Sequence, residues 1–223
     1  MKENSLNYQN FLDTSKTIAQ EIFQDVFYAW EVLPLIKDFI TALGNSLPED
    51  KFEQIKPNVW VAKNAKIDDS AHIDGPTIID ENTEIRHCAF IRGSVIVGKN
   101  CVVGNSTELK NCILFDNVQV PHFNYVGDSV LGYKSHLGAG AIVSNVKSDK
   151  MNIIVKHENN KIETGLRKFG AIVGNYVEVG CNSVLNPGTI IGPNSSIYPT
   201  SMVRGVIKEN MIFKNSGNIV EKI

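Results

Sequence analysis

One histidine, two cations and a carboxylate stand out in the middle of this chain by type and spacing. His122 lies within Val120-Pro121-His122-Phe123-Asn124-Tyr125-Val126-Gly127-Asp128, where a proline and an imidazole serve no core pattern. Upstream, Arg92 in Ile91-Arg92-Gly93-Ser94 and Lys110 in Glu108-Leu109-Lys110-Asn111 are 18 residues apart. An imidazole is suited to taking and returning a proton near neutral pH. Two cations beside it suit a phosphate or carboxylate. The chemistry on offer is proton transfer at an anionic substrate, provided that the fold winds these residues onto one face.

The elements that would do so are short and periodic. In steps of six, Val61, Ile67, Ile73, Ile79, Ile85, Ile91, Val97, Val103, Leu109 and Phe115 are all apolar. A period of six is neither that of a strand nor that of an amphipathic helix, so a repeat architecture is expected. Four residues after each aliphatic stands a small or compact one (Ala65, Ala71, Thr77, Thr83, Ala89, Val95, Cys101, Thr107), as a narrow interior requires. The residues between are Asp, Asn, Lys, Glu and Gly, which suit turns and solvent. Such a chain closes into a triangular coil of three short strands, and coils stack by pairing their backbones. At 18 residues a coil, Arg92 and Lys110 fall one above the other, with His122 within about one coil.

Before the repeats, residues 1–57 read as an N-terminal helical segment and linker. Apolar residues recur at helical spacing from Asp13 or Thr14 (Ile18, Ile22, Phe23, Val26, Phe27, Trp30), Pro34 stops that helix, and Leu35 to Leu43 form a second one closed by Gly44. The pair is expected to cover the open first coil. The repeats occupy 58–209, slipping by a residue after Phe115 and again before Leu131, and slips in a repeat are where function is often placed. An insertion at about 145–168 looks like a projecting β-hairpin arm around Glu158-Asn159-Asn160, and the tail, 210–223, reads as a capping strand or swapped element.

Composition narrows the function. The chain has 223 residues, 43% of them hydrophobic, and a formal charge of −2, so nucleic acid is not an expected partner. No apolar run reaches the roughly 20 residues of a membrane span, and the opening Met1-Lys2-Glu3-Asn4 is not that of a signal peptide, which points to the cytoplasm. Cys88, Cys101, Cys112 and Cys181 form no CxxC pair, so neither a metal ribbon nor a disulfide frame is expected.

The hexads, the 120–128 motif and Arg167-Lys168-Phe169-Gly170-Ala171 together resemble one family over about Val61 to Asn210. It is the hexapeptide-repeat acetyltransferase domain of bifunctional N-acetylglucosamine-1-phosphate uridyltransferases, and still more that of archaeal sugar-1-phosphate nucleotidylyltransferases. The resemblance implies an all-β fold, a left-handed parallel β-helix; the left hand comes from the resemblance alone. It implies transfer of an acetyl group from acetyl-CoA to the amine of a hexosamine 1-phosphate, with His122 as general base and no metal. Arg92, Lys110 and Lys168 would hold the phosphate. Glu108, Tyr125 and Asn145 would orient the sugar, Ala139 would offer its backbone N–H to the oxyanion, and Cys181 would line the coenzyme. Lys214 substitutes for a basic contact to the coenzyme phosphate. His136 stands where the family has an asparagine against the sugar, so that contact differs here. The family's site lies between subunits of a homotrimer. Nothing in the chain resembles the nucleotide loop of the uridyltransferase half, so nucleotidyl transfer is not expected of it. A non-catalytic sugar-nucleotide or metabolite-binding module is the alternative. A trimeric zinc hydratase would need three interface histidines, and the spacing of His72, His87, His122 and His136 does not provide them.

Overall fold

The structure, a computed structural model, describes residues 2–214 and 218–222. It is a parallel β-solenoid with one α-helix, Ile36–Gly44. Strands of two to seven residues stack on three faces. On the first, Val61, Ile79, Val97, Leu114, Leu131, Val173, Ile191 and Ile207 form one inward column in register. The second column runs Ile73, Ile91, Leu109, Val126, Val143, Leu185, Val203. The third contains Ile67, Ile85, Val103 and Val120, then Leu137, Val179, Ile197 and Phe213. Nearly all are fully buried, and together they are the core.

The register corrects one sequence reading. Val97 pairs with Leu114, not Phe115, so the slip comes one coil segment earlier than the aliphatic rhythm suggests. All the departures from six now fall at one corner, between the second and first faces. There Leu109 is followed by Leu114 and Val126 by Leu131, five residues on. Val143 is followed by Val173 across the insertion, and Val203 by Ile207. The shortened corners let Glu108–Leu114 and Tyr125–Leu131 run through as continuous strands, with Asn111 and Asp128 at positive φ.

The N-terminal segment differs most from expectation. Instead of a helix from Asp13 or Thr14, it makes five short 3-10 turns: Asn4–Leu6, Tyr8–Asn10, Thr14–Lys16, Gln20–Phe23 and Ala29–Val32. The β-branched Thr17 is fully extended, and its hydroxyl accepts the Ala19 N–H at 3.1 Å. Tertiary bonds outbid helix propensity here. The Phe11 and Lys16 carbonyls accept N–H groups of Asn175 and Asp116 in the coils, and the Leu33 carbonyl accepts the Asn111 amide. The open edge of the first coil is covered by the end of the segment, where Phe52–Lys56 pairs antiparallel with Val59–Ala62, but the turns lie along the first face, with Phe23 edge-on to Phe115 and Trp30 against Phe169. The outward residues of that face explain why, because Trp60, Ile78, Ile96, Ile113, Val130, Ile172 and Ile190 are apolar and buried beneath it or against their coil neighbours. The insertion forms the hairpin Ile154–His157 with Asn160–Glu163, but it folds back rather than projecting. His157 bonds Ser5, Asn160 bonds Glu3, and Val155 is buried. Ile219–Glu221 pairs antiparallel with Met211–Phe213 at the far end.

At the corner between the first and third faces, Asp80 is 1% exposed, and only one of its carboxylate oxygens finds a partner, the Glu81 N–H at 2.8 Å. Burial pushes its pKa up to about 6, with the Glu81 N–H and Lys99 opposing. The folded value lies above the unfolded one, so the folded state keeps a proton the unfolded chain has released. Stability is therefore lost as pH rises through that interval. Asp80→Asn is expected to raise the melting temperature at about pH 8, by up to ~3 kcal/mol of stability, and to have little effect at about pH 4. Thermal melts at the two pH values check this; an equal effect at both would contradict it.

Candidate functional site

The short corner gathers a polar cluster from coils far apart in sequence. Phe90, Glu108 and Tyr125 are in register on the second face, and Lys110 pairs with Gly127 just past it. Arg92 Nη1 bonds Glu108 Oε1 at 2.7 Å, and that bond holds the guanidinium above its ordinary pKa. Lys110 Nζ lies 3.7 Å from Asp128 Oδ2. Burial lowers the Lys110 pKa, Lys168 and Arg92 lower it further, and Asp128 opposes them.

Asp128, 5% exposed, is the hub of the cluster. Its Oδ1 accepts the Asn111 amide at 2.9 Å, its Oδ2 accepts the Asn145 amide, and its backbone carbonyl accepts the Gly170 N–H at 2.7 Å. Asn145 also donates to the Tyr125 hydroxyl at 3.2 Å. Burial, with Asp128 and Glu108 nearby, raises the Tyr125 pKa. Gly127 makes room for this: a Cβ there would stand 2.6 Å from the Tyr125 hydroxyl and 2.7 Å from the Asn145 amide. The insertion leaves and re-enters at the same place, where the Phe169 N–H bonds the Asn145 carbonyl at 3.0 Å, and this brings exposed Lys168 beside Lys110.

His122 stands at the opposite edge of the same face, three residues before Tyr125. Its N–H donates to Asn124 Oδ1 at 3.2 Å, and its carbonyl accepts the Gly140 N–H at 3.0 Å. Asn124 is 2% exposed and staples this corner by donating to the carbonyls of Gly138 and Ala141. Gly104 admits the turn, since a Cβ there would meet the Pro121 carbonyl at 1.6 Å. Above His122 the ladder continues through Ala139, whose carbonyl accepts from Asn182, to Cys181, whose carbonyl accepts from Thr200. His122, Ala139 and Cys181 thus form one vertical edge, and the Ala139 N–H donates to none of the described residues. Cys181 is exposed. Lys214 sits near the top of this edge, following Phe213, which bonds Tyr198.

Arg92, Glu108, Lys110, Tyr125, Asn145 and Lys168 are therefore brought together, with His122 a few residues along the face. His136 is not: it lies on the third face, where its Nδ1 is 2.8 Å from Glu178 Oε2. Its side chain points from an outward strand position, and within one chain it belongs to neither cluster. Sequence reasoning passed over Asp128, Asn111 and Asn124. Asp128 and Asn124 lie inside the 120–128 motif, but only the register reveals what their side chains hold. Among the described residues no group of three or more His, Cys, Asp or Glu side chains is arranged to hold a metal ion. No helix among the described residues is long and apolar enough to cross a membrane.

Residues 73–197 match the model of the GMPPB C-terminal domain family. The chain is 31% identical over 191 residues to the bifunctional protein GlmU of Methanococcus aeolicus, covering 77% of this chain and 46% of that protein. It is 30% identical to a bifunctional sugar-1-phosphate nucleotidylyltransferase/acetyltransferase of Sulfurisphaera tokodaii, over 72% of this chain and 46% of that one. The chain thus spans about half the length of these curated relatives. The uncharacterized acetyltransferase YaiX of Escherichia coli O6:K15:H31 is 31% identical over 78% of this chain and 81% of its own length. Among solved structures, the polySia-specific acetyltransferase NeuO aligns over 75% of this chain and 88% of its own, with a TM-score of 0.47 and 15% identity.

Proposed function

Because the chain belongs to the GMPPB C-terminal domain family and matches the C-terminal acetyltransferase region of GlmU-type proteins, we propose that it transfers an acetyl group from acetyl-CoA to the amine of an amino-sugar phosphate, a hexosamine 1-phosphate. The observation that carries this reading is the pairing of two edges on one face. A base lies below a free backbone N–H on the first edge, and three cations cluster on the second.

In this mechanism Arg92, Lys110 and Lys168 hold the phosphate. The depressed Lys110 pKa reflects a desolvated ammonium with two cationic neighbours, a setting in which a dianion is well received. Tyr125 and Asn145, fixed to one another and to Asp128, place the sugar so that its amine faces His122. The imidazole takes the amine proton as nitrogen attacks the thioester carbonyl, and the Ala139 N–H receives the developing oxyanion. The imidazolium then protonates the departing thiolate. The coenzyme runs up the Ala139–Cys181 edge towards Lys214, a rise of roughly 20 Å at ~4.8 Å per coil. The site is completed by a neighbouring copy in a homotrimer.

The test is thiol release from acetyl-CoA with glucosamine 1-phosphate and with glucosamine as acceptors. The phosphorylated sugar is expected to be the better acceptor by kcat/KM, and Lys110→Ala to raise its KM about 10-fold or more with a smaller effect on glucosamine. Equal losses for both acceptors would remove Lys110 from phosphate binding. Calorimetric binding of the sugar phosphate without any turnover would favour a non-catalytic module.

A further inference from the structure

Two coils below His122 on the same edge lies a second group of reactive side chains. The ladder fixes its place: the His87 carbonyl accepts from Ser106, the Asn105 carbonyl accepts from Phe123, and Asn105 pairs with His122. Cys88 is exposed, and its Sγ is 3.3 Å from His87 Nε2. His87 Nδ1 is 2.7 Å from Ser70 Oγ. Ser70 Oγ also bonds Asp68 Oδ1 and accepts the Cys88 N–H at 2.9 Å. Asp68 accepts the Ser70 N–H as well, at 3.0 Å.

Proton counting sets the tautomer of His87. A serine hydroxyl has one proton to give. Hydrogen bonds from the Ser70 hydroxyl and N–H hold Asp68 below the usual carboxylate range, so it is ionised and only accepts. Ser70 therefore gives its proton to Asp68 and must accept from His87 Nδ1–H. That leaves the lone pair of Nε2 aimed at the Cys88 thiol, the arrangement of nucleophile, base and orienting group that activates a cysteine. Cys88 occupies a positive-φ corner position, φ 55°, that higher coils on this edge fill with Ser106, Phe123, Gly140, Asn182 and Thr200, so packing does not call for sulfur there.

We propose that Cys88 is a second nucleophilic centre of this protein, with His87 as its base and Ser70 and Asp68 as the orienting pair, and that it accepts an acyl group from a thioester. His87 Nε2 takes the thiol proton as sulfur attacks the thioester carbonyl. A C–S bond forms to Cys88, the C–S bond to the donor breaks, and the imidazolium returns the proton to the departing thiolate. One thioester replaces another, with no change of oxidation state. The choice of a thioester rests on the coenzyme reading above; a coenzyme whose acyl end is held at His122 stops about 10 Å short of Cys88 at ~4.8 Å per coil, so the donor to Cys88 sits lower on this edge.

The test incubates the full chain with acetyl-CoA, with the truncated thioester S-acetyl-N-acetylcysteamine, and with iodoacetamide, and follows each cysteine by peptide mass spectrometry. Exposed Cys181 is the internal reference. Cys88 is expected to react at least ~10-fold faster than Cys181 with the truncated thioester and with iodoacetamide. His87→Gln should bring it down to the Cys181 rate, and Ser70→Ala, which releases Nδ1 from its acceptor, should give an intermediate rate. Equal rates at the two cysteines, or an unchanged rate in His87→Gln, would overturn the proposal. Acylation by the truncated thioester but not by acetyl-CoA would uphold Cys88 as the nucleophile, with the coenzyme held out of its reach at His122.

Discussion

His122→Ala is expected to lower acetyl transfer by about 10²- to 10⁴-fold, the usual contribution of a positioned general base, while leaving the melting temperature close to that of the unaltered chain. The two halves of that expectation have separate origins. The rate falls because no other described imidazole stands beside the Ala139 N–H. The fold persists because the His122 ring is exposed, and the bonds that hold the corner come from its backbone and from Asn124. Steady-state rates with a saturating sugar phosphate, alongside a thermal melt, measure both. An unchanged kcat would remove His122 from the mechanism.

Asp128→Ala is expected to damage stability and catalysis together. It leaves Lys110, Asn111 and Asn145 without their shared acceptor in a nearly buried place. Hydrogen bonds to a charged group are worth ~1.5–3 kcal/mol each, but Lys110 keeps a quarter of its side-chain exposure, and water screens part of the loss. Alanine at φ 48° adds about 1 kcal/mol of strain. A total of ~3–4 kcal/mol corresponds to a fall of roughly 6–16 °C in melting temperature for a chain of this size. Asp128→Asn, which tolerates that backbone, should lose about half as much. Both variants should lower kcat/KM for the sugar phosphate because Tyr125, Asn145 and Lys110 are no longer held. A melt within about 2 °C of the unaltered chain would show that the carboxylate does not organise the corner.

The solenoid was legible because one aliphatic in six cannot be hidden by surface variation. The exact corner of the slip was not, because Phe115 is apolar and satisfies the rhythm while Leu114, one residue earlier, takes the inward place. Phe115 turns to Phe23 instead. The covered face had a signal of its own in the apolar middle residues Ile78, Ile96, Ile113 and Ile172, which a solvent-facing strand would make polar. Periodicity over residues 14–30 suggested a helix because Ile22, Phe23 and Trp30 are buried in the 3-10 turns while Ile18, Val26 and Phe27, between the turns, pack partly buried against the same core. What decided against it was bonding from Lys16 and Leu33 to coils about 100 and 78 residues away. Of the polar site, Arg92 and Lys110 could be stacked by counting, whereas the role of Asp128 depends on neighbours from the coil below and from the two ends of the insertion in the coil above.

The most direct measurement is a crystal structure of the chain with coenzyme A and glucosamine 1-phosphate bound. The coenzyme is expected along the Ala139–Cys181 edge with its sulfur at His122, the sugar amine within about 2.6–3.2 Å of the imidazole, and the phosphate on Lys110 and Arg92. A coenzyme seated on another face, or a sugar phosphate bound with its amine away from His122, would contradict the account.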